Sequence, residues 1–106
     1  MIAPTVGRKV WYRPSEQDIA GTSGNSAKKM EVATGQPLDA TVTAVWGDRC
    51  VNLAIFDIYA NVHDRRSVTL VQEGDVVPAS GRYAEWMPYQ TAQAKKEPTS
   101  GTVELS

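Results

Sequence analysis

The sequence predicts an all-β fold: a small SH3-like five-stranded barrel with one long loop and a flexible C-terminal tail, with a small sandwich as the alternative. Three observations carry this. Residues 39–57, DATVTAVWGDRCVNLAIFD, set two runs rich in β-branched residues on either side of Gly47-Asp48. Shorter runs of strand formers lie on both sides of that stretch, separated by turn signals, and no apolar stripe of helical period competes with them. The length, 106 residues, supports one hydrophobic core and no second. A single barrel domain is expected over residues 1–94 and the tail, which ends in KKEPTSGTVELS, over 95–106.

The first strand is RKVWYR, residues 8–13, with Val10 and Tyr12 on one face and Lys9, Trp11 and Arg13 on the other. The long loop follows. Residues 14–37, PSEQDIAGTSGNSAKKMEVATGQP, are mostly small and polar, with Pro at each end. Such a segment has too little apolar area to offset the entropy of ordering it, and long loops in compact domains are either functional or disordered.

The hairpin is the clearest element. A two-residue loop with Gly first suits a type II′ turn, because Gly47 accepts positive φ there. Joined at Gly47-Asp48, the strands place Trp46 opposite Arg49, Ala44 opposite Val51, Val42 opposite Leu53 and Ala40 opposite Ile55, all on one face. Thr41, Thr43 and Val45 share the other face with Ala54, Asn52 and Cys50. The first face is almost wholly apolar, so Val42, Ala44, Val51, Leu53 and Ile55 are expected in the core. SVTLVQ, residues 67–72, is the next strand and ends at the turn signal Glu73-Gly74-Asp75. RYAEWM, residues 82–87, is the last, stopped by Pro88. Trp86 is expected to be largely buried as it closes the barrel, and Tyr89 to be exposed beyond the break.

Charge and composition exclude more than they assign. Eleven Lys and Arg stand against 12 Asp and Glu, for a net charge of −1, which lacks the basic excess of a dedicated duplex DNA binder. With one Cys and one His, a single chain cannot assemble the usual Cys/His zinc sets, and no metal or other cofactor is expected. Cys50 can form no internal disulfide, which fits a reducing compartment. No apolar run approaches the roughly 20 residues needed to cross a bilayer, and MIAPTVGRKV has no secretory character. A soluble intracellular protein is expected. A Cys50–His63 nucleophilic pair would lack an orienting third group, so no catalytic residue is assigned.

Two features have binding character. His63-Asp64-Arg65-Arg66 gathers potential cations beside an apparent turn, either as a solvated loop or as an anion contact. Trp11, Trp46 and Trp86 either complete the core or form an aromatic surface. The expected binding residues are Tyr89, Trp11, Arg65, Arg66 and His63, since aromatic and Arg anchors dominate contact energy.

Four stretches, PTVGRKVWYRPS (4–15), VNLAIFD (51–57), RRSVTLVQEGD (65–75) and AEWMPYQ (84–90), together resemble a group of small uncharacterised proteins encoded by tailed bacteriophages and prophages. That group shares a Gly-Arg-x-Val opening, a VNL strand, a SV-x-LVQ strand and the closing WMPYQ. The chain departs from it at DIYAN, residues 57–61, where members carry a small Asn/Gly-rich turn. The resemblance implies a viral gene expressed in the bacterial host cytoplasm and transfers no catalytic residue. The expected role is a non-enzymatic module that binds a host or phage protein or itself. A nucleic-acid accessory barrel and an oligomeric binder of a nucleotide-like ligand are the alternatives.

Overall fold

A computed structural model describes residues 1–21, 29–79 and 82–93. Five strands close a barrel in the order β1 (Lys9–Arg13), β2 (Leu38–Gly47), β3 (Cys50–Phe56), β4 (Val62–Val71) and β5 (Tyr83–Glu85). Successive strands from β1 to β4 pair antiparallel. β5 completes the circle, antiparallel to β1 and parallel to the end of β4 at Leu70 and Val71. The all-β barrel expected from the sequence is the fold.

The interior follows from strand alternation. Val10, Tyr12, Leu38, Ala40, Val42, Val51, Leu53, Ile55, Val68, Leu70 and Ala84 point inward and are buried. Trp86 is 5% exposed and covers one end of this core, as expected. Gln72 secures that corner. Its side-chain carbonyl accepts from Trp86 Nε1 and from the backbone of Ile2, each at 3.1 Å. Its amide nitrogen donates to the carbonyls of Ile2 and Asp48 at 2.9 and 2.8 Å. The buried amide is thus saturated, which is what makes a polar group tolerable inside.

The hairpin register is as expected at its base, with Ala40 opposite Ile55 and Val42 opposite Leu53, and it changes toward the tip. Two register shifts follow Val42 and Val45, so Ala44 lies opposite Asn52, Val45 opposite Val51 and Gly47 opposite Cys50. The loop is therefore Asp48-Arg49, and Gly47 ends β2 without positive φ. The expected type II′ turn at Gly47-Asp48 is corrected accordingly. The reason is curvature: extra residues on one strand bend and twist it, which barrel closure requires. As a consequence Ala44 is only half-buried and Trp46 is 66% exposed.

Two further expectations change. β4 begins at Val62, so His63–Arg66 is strand and no turn lies there. The segment 14–37 also contains structure: α1 (Glu16–Ala20) is capped by Ser15, and Met30 is fully buried in the core. Ser15 and Asp18 form a reciprocal capping box, and Gly21 ends the helix in the left-handed region at φ 82°. Residues 22–28 of the expected loop, and the expected tail over 95–106, lie outside the described residues.

Removing the Trp86 ring should cost about 3–5 kcal/mol of stability through the cavity it leaves. Gln72→Met keeps similar volume but strands the indole N–H and the Ile2 amide, at about 1–3 kcal/mol for each buried group left unpaired. Urea denaturation of both variants should show lowered midpoints, with Trp86→Ala the lower.

Candidate functional site

Two polar clusters hold the loops against the barrel. In the first, Arg65 points inward from β4 and its Nε donates to Asp18 Oδ1 at 2.8 Å, with both side chains fully buried. The hydroxyl of Tyr12 and the backbone N–H of Ser15 donate to the other oxygen of Asp18. Arg65 Nη1 donates to the Asp64 carbonyl at 2.6 Å. Burial alone would raise the Asp18 carboxyl, but the hydrogen bonds from Tyr12, Ser15 and Arg65 outweigh it and hold Asp18 below its ordinary value. Burial, with the neighbouring carboxylate, drives the Tyr12 hydroxyl far above its own ordinary value.

In the second cluster, Asp57 ends β3 and organises the turn to β4. Its Oδ1 accepts from the backbone of Tyr59 and Asn61 at 2.9 and 3.0 Å. Its Oδ2 accepts from the Glu31 backbone and Asn61 Nδ2, and lies 3.1 Å from His63 Nε2. Asp57 and His63 are fully buried. Here too burial raises the carboxyl, and the bonds to His63, Asn61, Tyr59 and Glu31 more than reverse it, leaving Asp57 strongly acidic. The backbone of Ile58 also donates to Glu31 at 3.1 Å. The turn is gripped from both sides, and Ala60 takes positive φ to complete it.

What this turn displays is apolar. Ile58 is 45% and Tyr59 70% exposed. Beside them an open groove of about 440 Å³ is lined by Lys9, Pro37, Leu38, Asp39, Phe56, Asp57, Ile58 and Ala60. Lys9 sits 5.0 Å from the centre of the Phe56 ring and pairs with Asp39 at 3.1 Å. Trp11, opposite Asp39 in the register, continues the same outer row.

The expected binding residues separate accordingly. Trp11 is half-buried and borders the groove row, and Tyr89 is 70% exposed on a helical turn spanning 88–93. Arg66 is exposed. Arg65 and His63 are 2% exposed, so their expected role as surface contacts is corrected. They alternate with Asp64 and Arg66 along β4, and the inward positions are compensated by Asp18 and Asp57. Ile58, Tyr59 and Phe56 were not singled out by sequence reasoning. Asp57 is a residue type that binds the backbone two positions on in an Asx turn, but exposure of the Tyr59 ring is a tertiary result. The helix over Asp18 did have a local signature in Ser15-x-x-Asp18 preceding Ile19.

Cys50 lies at the other end of β3 from Ile55, the residue opposite His63, so the two cannot form a nucleophilic pair. Among the described residues no three His, Cys, Asp or Glu gather as a metal site, and no helix is long and apolar enough to cross a membrane. Lys9, Arg13 and Arg49 are each ion-paired, with Asp39, Glu85 and Asp75, which dilutes any basic face for nucleic acid. Comparison with family models, with curated proteins and with solved structures gives no match.

Both buried carboxyls are more acidic folded than unfolded, so unfolding in acid takes up protons. Their stabilisation is complete above the unfolded value of 3.8 and is lost as pH falls below it toward the folded values. The melting temperature should therefore drop steeply below about pH 4, and Asp57→Asn should flatten that slope while lowering stability at neutral pH. Asp18→Asn leaves Arg65 buried without its counter-charge and should cost about 3–5 kcal/mol. Thermal melts across pH check all three outcomes.

Proposed function

We propose that this chain is a non-enzymatic protein-interaction module that binds a partner protein through the groove and turn formed by Phe56, Ile58, Tyr59 and Trp11. One observation carries the reading: large apolar side chains stand in solvent on a turn fixed by Asp57 through backbone and side-chain bonds. Exposed Ile and Tyr on a mobile loop would lose entropy on binding. On a pre-ordered turn most of that cost is already met in folding. Tyr and its apolar neighbours supply desolvated contact area, while Lys9 and Asp39 give the rim both signs of charge.

The partner that fits is a protein surface presenting an apolar anchor to the groove, within a polar border. The resemblance to small tailed-phage proteins, which rests on the four motifs quoted above, makes a host or phage protein in the bacterial cytoplasm the proposed partner.

Tagged wild-type protein and the variants Ile58→Asp, Tyr59→Ala and Tyr89→Ala, each verified by thermal melt, should be compared in pull-downs from bacterial lysate. The two turn variants should stay folded and lose the captured partner, a loss of about 2 kcal/mol or more if Tyr59 is a binding hot spot. Capture lost only in Tyr89→Ala would move the site to the WMPYQ end.

A further inference from the structure

Among the described residues, the barrel closes through two residue pairs on one side of β4. β5 meets β4 at Leu70 and Val71, whereas β4 runs back to Val62. Among the described residues, no backbone group pairs with the outer edge of β4 from Val62 to Arg66. The ladder with β3 fixes which groups point that way. Asp57 N–H donates to the Asn61 carbonyl at 3.0 Å, forming the first rung. Hydrogen-bonded pairs alternate along an antiparallel ladder, so Ile55–His63 and Leu53–Arg65 are the next bonded pairs. Val62, Asp64 and Arg66 therefore turn their backbone N–H and C=O outward. The Asp64 carbonyl behaves as expected of an outward group: it accepts from Arg65 Nη1 and is not tied to β3.

An open strand edge is a template for another extended backbone. Its side chains decide which one. Val62 is 55% exposed, and Asp64 and Arg66 are exposed. Neither of the two charged residues has an ion-pair partner in its own chain among the described residues. Proteins often guard an edge with charges that repel a copy of themselves. Here the two charges have opposite sign and lie two residues apart, which is self-complementary. A two-fold antiparallel register that placed Asp64 or Arg66 opposite its own copy would face like charges. The register that places Asp64 opposite Arg66 makes two attractive pairs and uses the same outward backbone groups.

We propose that a second copy of this chain pairs antiparallel with the Asp64–Arg66 edge of β4 across a two-fold axis through Arg65, Asp64 lying opposite Arg66 of the partner subunit. The pairing is confined to a short edge that stops at Ser67, where positive φ and a bond from Ser67 N–H to Asn52 Oδ1 interrupt the ladder. So small a contact falls short of the area of a standard stable interface, and a dissociation constant on the order of 10 µM is expected. This proposal is independent of the groove.

Sedimentation equilibrium of the full chain over a range of concentrations tests it. Wild type should show reversible monomer–dimer exchange. Asp64→Arg alone and Arg66→Asp alone face like charges and should each weaken the dimer about tenfold or more, with unchanged melting temperature. The double variant D64R/R66D restores opposite signs and should recover dimerisation to near the wild-type level. A wild type that stays monomeric at every concentration overturns the proposal, as does a dimer that neither single reversal weakens.

Discussion

An arginine on the inner face of a barrel strand is tolerable only if a carboxylate reaches it inside the fold. Arg65 makes that demand, and the first part of the chain is arranged to meet it. Asp18 can arrive only if residues after β1 turn back over the barrel, which α1 does, and its carboxylate is held there by Tyr12 from β1 and Ser15 from the helix cap. Asp18 also accepts backbone N–H bonds at its carbonyl from Gly21 and Met30, so the same residue guides Met30 into the core. A buried ion pair of this kind contributes little net stability compared with apolar residues of equal size. Its effect is on geometry, because Asp18 takes bonds from Tyr12 and Arg65 in a single arrangement, although Arg65 Nη2 is buried without a partner.

Legibility of the fold in the sequence divides along the same line. β1 and the base of the β2–β3 hairpin were readable because alternation and burial agree there: Val10, Tyr12, Val42, Leu53 and Ile55 point inward as their spacing requires. The tip was not, since bulges answer to barrel curvature and have no residue signature in Thr43 or Trp46. β4 was cut short because His63 and Arg65 read as solvated polar groups; their partners Asp57 and Asp18 lie 6 and 47 residues away in sequence, and no local rule supplies them. Met30 was missed for a related reason. One apolar side chain in a polar stretch carries no periodicity, and only the packed barrel shows where it goes.

The candidate surface follows from the second carboxylate. Asp57 does for the β3–β4 turn what Asp18 does for the helix, with a different outcome at the surface. Asp18 draws its surroundings inward; Asp57 spends its bonds on backbone amides and leaves Ile58 and Tyr59 facing water. The functional residues expected from the sequence were the aromatics Trp11 and Tyr89 together with His63, Arg65 and Arg66. Instead, His63 and Arg65 are internal struts, and the proposed contact surface is made of the apolar residues that Asp57, the partner of His63, holds in place.

Gln72 has a consequence for how the molecule comes to exist. Its amide joins Ile2, the Asp48 turn and Trp86, groups separated from it by 70, 24 and 14 residues. Strand β1 likewise lies between β2 and β5, so the barrel's first strand waits for its last. Closing such distant contacts costs loop entropy before any of them stabilises the fold. On the ribosome, the β2–β3–β4 meander can form as it emerges, but the corner beneath Trp86 stays open until residue 86 has left the exit tunnel. Until then the apolar lining of the barrel is exposed on the nascent chain, and completion of the last short strand is the event that hides it.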